Sequence, residues 1–239
     1  MTPSDLDAWV LCGGRGKRLR SQIADRPKPL APIDGRIFLD VVLAWLRSCG
    51  VERFVLCAGF LAEAIEPALP GLRRHGRVSL SIEEEPLGTG GALRNALACG
   101  DSDPMLVLNG DSICPVDLRA MLECHLGAGA GLSLAAADAP STADYGRLSI
   151  DADGRVSAFD EKAPDAGGGL VNAGVYLVGR TLFSQSAPQR RFSLETDLFP
   201  ALARDGHVRA WTHEGPFVDI GTPERYRDAP RRLREMGLL

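Results

Sequence analysis

The sequence predicts an α/β protein, a mostly parallel but mixed central sheet with helices layered on both faces in an αβα arrangement. Two observations predict it. Short runs rich in Val, Leu and Ile, the signature of strands buried on both faces, alternate through the first half with longer segments of helical period. With 45% hydrophobic and 24% charged residues over 239 positions, the chain also has enough apolar material for a full core.

Taken in order, strands are predicted at 8–12, 53–58, 78–83 and 105–109. Between them lie helices at 38–50 (FLDVVLAWLRSCG, ended by Gly50), at 61–68 and at 89–99, which begins after Gly88. That half reads β-α-β-α-β-α-β. After about residue 112 the strands shorten, at 132–137, 146–150, 155–160 and 170–178, and Gly- and Asp-containing turns such as Asp153-Gly154 join them. The APDAGGG segment at 163–169 reads as a loop, and helices follow at 194–204 and 223–236, the second with Pro223 in its first turn. No internal or hexapeptide repeat appears, so the expectation is a single domain over 1–239 without a β-helical tail. Its halves are about 1–112 and 113–239.

Charge and composition narrow the function. A net charge of −4 argues against a general nucleic-acid binder, yet residues 15–28 hold six basic side chains against the single acid Asp25. The six cysteines form no C-x-x-C pair and read as small buried hydrophobes in a reducing compartment, and the four histidines form no ligand cluster. The N-terminus lacks a signal pattern and no apolar run approaches the roughly 18 residues of a membrane span, so a cytoplasmic address is expected, without membrane partners.

The basic segment follows the first strand in WVLCGGRGKRLR (9–20). Gly13, Gly14 and Gly16 let the backbone turn sharply and present N–H groups, while Arg15, Lys17, Arg18 and Arg20 supply charge, which points to an anion. It is not a P-loop, because Leu11 stands where the first glycine belongs and Arg18 follows Gly16-Lys17. Nor is it a dinucleotide fingerprint, since Leu19 occupies the third glycine position. LCGGRGKRL with RPKPLAPI (26–33) instead resembles the signature of the sugar-1-phosphate nucleotidyltransferases, G-G-x-G-x-R-L then K-P-L. The resemblance extends, in the family's order, through EEEPLGTGGAL (83–93), LVLNGD (106–111), DYGRL (144–148), FDEK (159–162), NAGVY (172–176) and FVDIGTP (217–223).

That resemblance implies a Rossmann-like nucleotidyltransferase fold and attack of a sugar 1-phosphate oxygen on the α-phosphorus of a nucleoside triphosphate. The nucleophile, with a second pKa of about 6, is already ionised at pH 7 and needs no general base. Catalysis then reduces to alignment and charge neutralisation, which accounts for the lack of a Ser-His-Asp or Cys-His constellation. The nucleotide is expected on Leu11, Gly13, Gly14, Arg15, Gly16, Lys17, Arg18, Lys28, Glu83, Pro86, Gly88, Thr89, Asn109, Gly110 and Asp111. Arg18 and Lys28 contact its phosphates, and Pro27 and Pro29 stiffen the backbone around Lys28. Asp111, at the carboxyl end of a strand, is implied as one Mg²⁺ ligand and Asp219 as the second, completing the catalytic set with Arg18 and Lys28. Gly146, Glu161, Lys162 and Asn172 are implied for the sugar phosphate, with weaker carry-over to Glu195 and Asp197. Arg36-Ile37 stands where relatives often have Lys-Pro, so no role is carried to position 36.

IEEEPLGTGGAL and KPLAPIDGRIFLD carry a narrower likeness to enzymes of a manno-configured heptose 1-phosphate using GTP. Glu83 stands where the family reads the base. An ionised carboxylate only accepts, which suits the adjacent N1–H and N2–H₂ donors of guanine. Mannose 1-phosphate with GTP, and N-acetylmuramate 1-phosphate with UTP, are the alternatives. A non-catalytic sugar-nucleotide sensor on the same fold is the reading of another class, and the presence of Arg18, Lys28, Asp111 and Asp219 together speaks against it. The assembly is expected to be a monomer or homodimer.

Overall fold

The computed structural model describes residues 1–14, 16, 18–160, 167–187 and 190–239. Its first half runs β1 (Asp7–Leu11), a short hairpin of β2 (Pro32–Ile33) and β3 (Arg36–Ile37), α1 (Phe38–Ser48), β4 (Arg53–Ala58), α2 (Leu69–Leu72), β5 (Arg77–Ile82), α3 (Gly88–Asn95) and β6 (Met105–Asn109). The second runs β7 (Ser112–Ile113), α4 (Leu118–Gly127), β8 (Leu132–Ala139), β9 (Arg147–Ile150), β10 (Val156–Asp160), β11 (Gly169–Val178), α5 (Arg180–Ser186), α6 (Phe199–Arg204), β12 (Val208–His213), β13 (Val218–Asp219) and α7 (Pro223–Glu235).

The main sheet has the order β10-β9-β11-β6-β1-β4-β5, with β8 pairing β11 and β12 beside this path. β1 lies parallel to both β4 and β6, and β4 to β5, whereas β11 runs antiparallel to β6, β8 and β9. The sheet is therefore parallel where the crossover helices are and mixed beyond β6. Both faces are buried. Ala8, Val10 and Cys12 pack into one core, with α1 and α7, and Trp9 packs into the other, with α3 and α6. This two-sided burial is why these strands are continuous apolar runs in the sequence.

The expected helix at 61–68 is not one. Leu61 takes a left-handed φ of 54°, and the segment forms separate 3₁₀ turns at Ala62–Ala64 and Glu66–Ala68 before the single turn of α2. Pro67 and Pro70 supply no N–H and crowd the preceding turn, which breaks the ladder. The helix expected at 89–99 ends at Asn95 and continues as a 3₁₀ turn, Leu97–Cys99. The one expected at 194–204 starts as a π turn, Leu194–Leu198, capped by Ser193. The loop expected at 163–169 falls mainly outside the described residues. All six cysteines are free thiols. Cys12, Cys57 and Cys114 are buried as expected, but Cys99 and Cys124 are exposed.

Arg36, left without a role by the sequence, has a structural one. The Asp34-Gly35 turn, with φ of 46° and 77°, closes the β2–β3 hairpin and aims Arg36 Nε at Asp40 Oδ2, 2.7 Å away in the first turn of α1. Arg74 and His75 also donate to or contact this buried carboxylate, at 2.5 and 2.8 Å. Burial works to raise the Asp40 pKa, but hydrogen bonds from His75 and Arg36 and the charges of Arg36 and Arg74 outweigh it and hold it below the ordinary value. Asp40→Asn is expected to cost about 2 kcal/mol at pH 7, less than a fully buried pair because Arg74 keeps contact with water. A lowered folded pKa gives stability that is present above the unfolded value of about 3.9 and lost as pH falls through the folded one. The gap between wild type and variant in urea denaturation should accordingly be full at neutral pH and narrow below about pH 4; an unchanged gap at low pH would contradict the assignment.

Candidate active site

The site lies at the carboxyl edge of the parallel strands, where open α/β sheets bind their ligands. β1 ends at Leu11, whose carbonyl accepts from Gly110 N at 3.0 Å, and a Cβ on Gly110 would stand 2.7 Å from that oxygen. Glycine there lets the ends of β1 and β6 close together. Beyond β1 the chain turns through Gly13, Gly14 and Gly16. Gly16 has φ of 56° and faces the stem of Lys28, so that a Cβ would lie 2.8 Å from Lys28 Cγ. Lys28 opens the 3₁₀ turn Lys28–Leu30 between Pro27 and Pro29, and its Nζ donates to Asp111 Oδ2 at 3.0 Å.

β7 and β13 bring the two candidate metal carboxylates together. They pair antiparallel with Asp219 opposite Ser112, and Ile220 N donates to the Asp111 carbonyl at 3.0 Å. Asp219 Oδ1 accepts from Gly221 N at 2.9 Å and from Arg225 Nη1 at 3.2 Å, while Tyr145 Oη donates to Oδ2. Burial and the neighbouring Asp219 carboxylate raise the Tyr145 pKa, so the phenol stays protonated. Ser112 Oγ is buried and has no hydrogen-bond partner among the described residues.

These groups line one cavity of about 690 Å³. Around it stand Leu11, Gly13, Gly14, Gly16, Arg18, Lys28, Glu83, Pro86, Gly88, Thr89, Asn109, Asp111, Gly146, Asn172 and Asp219, all expected from the sequence. Gly110 does not line it and is set back against β1, a correction to its expected place. Arg15, Lys17, Glu161 and Lys162 lie outside the described residues.

On the wall formed by β5 and α3, Glu83 Oε2 accepts from Leu87 N at 3.1 Å and Oε1 faces Gly13 and Gly59. A Cβ on Gly59 would stand 2.2 Å from that oxygen, so glycine makes the seat for the carboxylate. Burial raises the Glu83 pKa, opposed by the Leu87 hydrogen bond. Gly88 and Gly90 are glycine because the chain at Phe192 lies against them, with hypothetical Cβ atoms 2.4 Å from its carbonyl oxygen and 2.1 Å from its ring. Thr89 Oγ1 donates to the buried Glu195 at 2.6 Å, tying α3 to the second half of the chain. Asp197 instead accepts from Ser193 N at 2.7 Å, as a turn-capping residue outside the cavity lining. Asn172 lines the cavity with its amide engaged, Nδ2 on Tyr176 Oη at 2.8 Å and Oδ1 on Gly174 N at 3.1 Å.

Sequence reasoning missed Asp144, Tyr145, Arg191 and Arg225, which also line the cavity. Asp144 and Tyr145 lie within the DYGRL segment, of which the resemblance implied a role for Gly146 alone. Arg225 lies in the first turn of α7 just after FVDIGTP, a position no local pattern marks.

A mixed sheet with a glycine loop, two cations and two carboxylates at its carboxyl edge defines a nucleotide-handling α/β enzyme. The chain belongs to the nucleotidyl transferase family, whose model matches residues 7–235. It is 37% identical over 230 residues to the D-glycero-alpha-D-manno-heptose 1-phosphate guanylyltransferase of Aneurinibacillus thermoaerophilus, covering 96% of this chain and 99% of that protein. To the protein of the same name from Campylobacter jejuni it is 33% identical over 221 residues, 92% of this chain and 97% of the other. HddC from Yersinia pseudotuberculosis, solved in complex with GMP-PN, shares the fold with a TM-score of 0.84 and 33% identity, over 95% of this chain and 99% of that one. The nucleotidyltransferase fold implied by the motifs is therefore the fold of this chain.

Proposed function

We propose that the chain transfers GMP from GTP to D-glycero-α-D-manno-heptose 1-phosphate, giving a GDP-sugar and pyrophosphate. The observation that carries the reading is the meeting of Lys28, Asp111 and Asp219 in the same cavity as the glycine loop. The relatives' names supply the substrates. In this reading residues 1–112 hold the nucleotide and 113–239 the sugar phosphate within one domain. In the same reading the enzyme works in the cytoplasm as a monomer or homodimer.

Backbone N–H groups around Gly13 to Gly16 and the Arg18 side chain hold the triphosphate, and Lys28 sits beside Asp111 where the α-phosphate arrives. The sugar phosphate enters over Gly146 and Asn172, with Glu161 and Lys162 as its further partners. Its dianion attacks without a base, and the side chains only align it and offset charge. The donor set fits Mg²⁺: the Asp111 and Asp219 carboxylates, and the Ser112 hydroxyl, which has no partner among the described residues, are hard oxygen groups on one cavity and would hold the ion. When bound, the ion neutralises charge on the reacting phosphates.

Four nucleoside triphosphates assayed against heptose, mannose and N-acetylmuramate 1-phosphates, scored by pyrophosphate release, test the reading. GTP with the heptose phosphate should lead, and a preference for UTP or dTTP would overturn it. Glu83→Gln should lose GTP selectivity by roughly 1–3 kcal/mol, the range of a hydrogen bond to a charged group. Gly59→Ala should lose it too, because the new Cβ displaces the Glu83 carboxylate. Unaltered selectivity in both variants would remove Glu83 from base reading.

A further inference from the structure

One carboxylate links two cations that line the cavity. Asp144 Oδ1 accepts from Arg18 Nη1 at 2.6 Å, and Oδ2 accepts from Arg225 Nη2 at 2.7 Å. Arg18 belongs to the loop after β1 and Arg225 to the first turn of α7, so two guanidiniums from distant parts of the chain flank Gly221 and share a single anion. The chain of charge alternates, Arg18, Asp144, Arg225, Asp219. Arg225 is also held from its face, with its guanidinium carbon 4.5 Å from the centre of the Tyr145 ring.

Two features set this cluster apart from a structural ion pair. First, Arg18 and Asp144 are 54% and 39% exposed, so their pairing contributes little to stability and exchanges easily. A triphosphate or a phosphate dianion brings more charge and more acceptor oxygens than a carboxylate, and outcompetes it for a guanidinium fork. Second, Arg225 is only 25% exposed and keeps two holds, the Tyr145 ring and Asp219, when Asp144 is removed. Its fork therefore stays aimed into the cavity.

We infer that Arg225 is a further substrate-binding residue of the reaction proposed above, contacting the phosphate of the sugar 1-phosphate, and that Asp144 competes with substrate phosphate for its guanidinium. The inference rests on that reaction. Arg225 is assigned to the acceptor because it stands against Tyr145, next to Gly146 on the sugar-phosphate side, whereas Arg18 stands on the nucleotide loop. For transfer, the two phosphates must meet beside these two neighbouring cations. With both substrates bound, Arg18 turns to the triphosphate and Arg225 to the attacking phosphate, whose repulsion from the triphosphate it offsets. No proton moves and no bond to Arg225 forms.

The test uses the full chain with Arg225→Gln, Arg225→Lys and Asp144→Asn. Steady-state kinetics vary GTP and sugar 1-phosphate separately, and calorimetry gives the Kd of GTP alone. Arg225→Gln should raise the KM for sugar phosphate about tenfold or more and leave the GTP Kd within about threefold. Arg225→Lys should recover only part, because an ammonium lacks the fork. Asp144→Asn should lower both KM values, since it frees both guanidiniums. If Arg225→Gln lowers kcat with the sugar-phosphate KM unchanged, Arg225 merely tethers Asp219 and the inference fails. It fails equally if the GTP Kd shifts as much as that KM, or if Asp144→Asn raises both KM values. A wild-type chain that releases no pyrophosphate from any substrate pair would sink the proposed reaction and this inference with it, a result distinct from an active wild type with an unaffected Arg225→Gln.

Discussion

Asp111→Asn is expected to lower kcat by roughly two to three orders of magnitude, the usual loss for one preorganised charge at a reacting phosphate, with little change in Tm. The split follows from how the residue is held. Its backbone carbonyl carries the structural contact, to Ile220 N at 3.0 Å, and asparagine keeps it. Its side chain is about a third exposed and, among the described residues, is bonded to Lys28. Asparagine removes a charge and a hard oxygen donor while filling the same space. Asp219→Asn should match the loss of turnover but also cost about 1–2 kcal/mol of stability, because its carboxylate is 12% exposed and accepts from Gly221 N, Arg225 and Tyr145. Pyrophosphate release at saturating substrates and thermal melts separate the two. Near-normal turnover in folded Asp111→Asn would remove this carboxylate from the mechanism.

The difference between these two aspartates also shows what the sequence could reveal. Asp111 was legible because it follows MLVLN, a strand with both faces buried, and the end of such a strand is a ligand position. The same two-sided burial made β1 and β4 readable within a residue or so, and β5, a partly exposed edge strand, was placed as closely. β12 was not, since VRAWTH alternates partly exposed residues on a strand that pairs only with β8 among the described strands, and its run of polar positions hides it. α4, also not expected, carries its buried face on Leu118, Met121, Leu122 and His125, the i, i+3, i+4, i+7 spacing of an amphipathic helix, with a histidine in place of the last apolar residue. The 61–68 segment failed in the other direction, because its apolar spacing looked helical and the two prolines decided otherwise. Site residues followed a parallel rule. Most of those inside glycine-marked segments were found, because a glycine forced by close approach leaves a mark in the sequence, as at Gly13 and Gly88. Arg225 carries no such mark, and Asp144, two residues before Gly146, has none of its own. What makes them part of the site is a partner 81 or 126 residues away, and that proximity exists only in the fold.

Lys28→Ala is expected to lower kcat by about 10²–10³ while changing the KM for GTP far less. The reasoning starts from how little freedom Lys28 has. Prolines on both sides fix its backbone, Gly16 packs against its stem, and its side chain is 14% exposed with the ammonium already 3.0 Å from Asp111. A charge placed in this way needs no reorganisation when negative charge moves toward it, so it acts most strongly in the transition state. The arginine alternative does not fit the same space, since a branched guanidinium would crowd Gly16, so Lys28→Arg should recover little. Lys28→Met keeps the packed stem and deletes only the charge, which makes it the sharper variant. If charge is what counts, Lys28→Met should lose nearly as much turnover as Lys28→Ala, with its Tm closer to wild type. A Lys28→Met enzyme that keeps kcat and loses GTP affinity instead would show that the lysine anchors the bound triphosphate and has no special hold on the transition state.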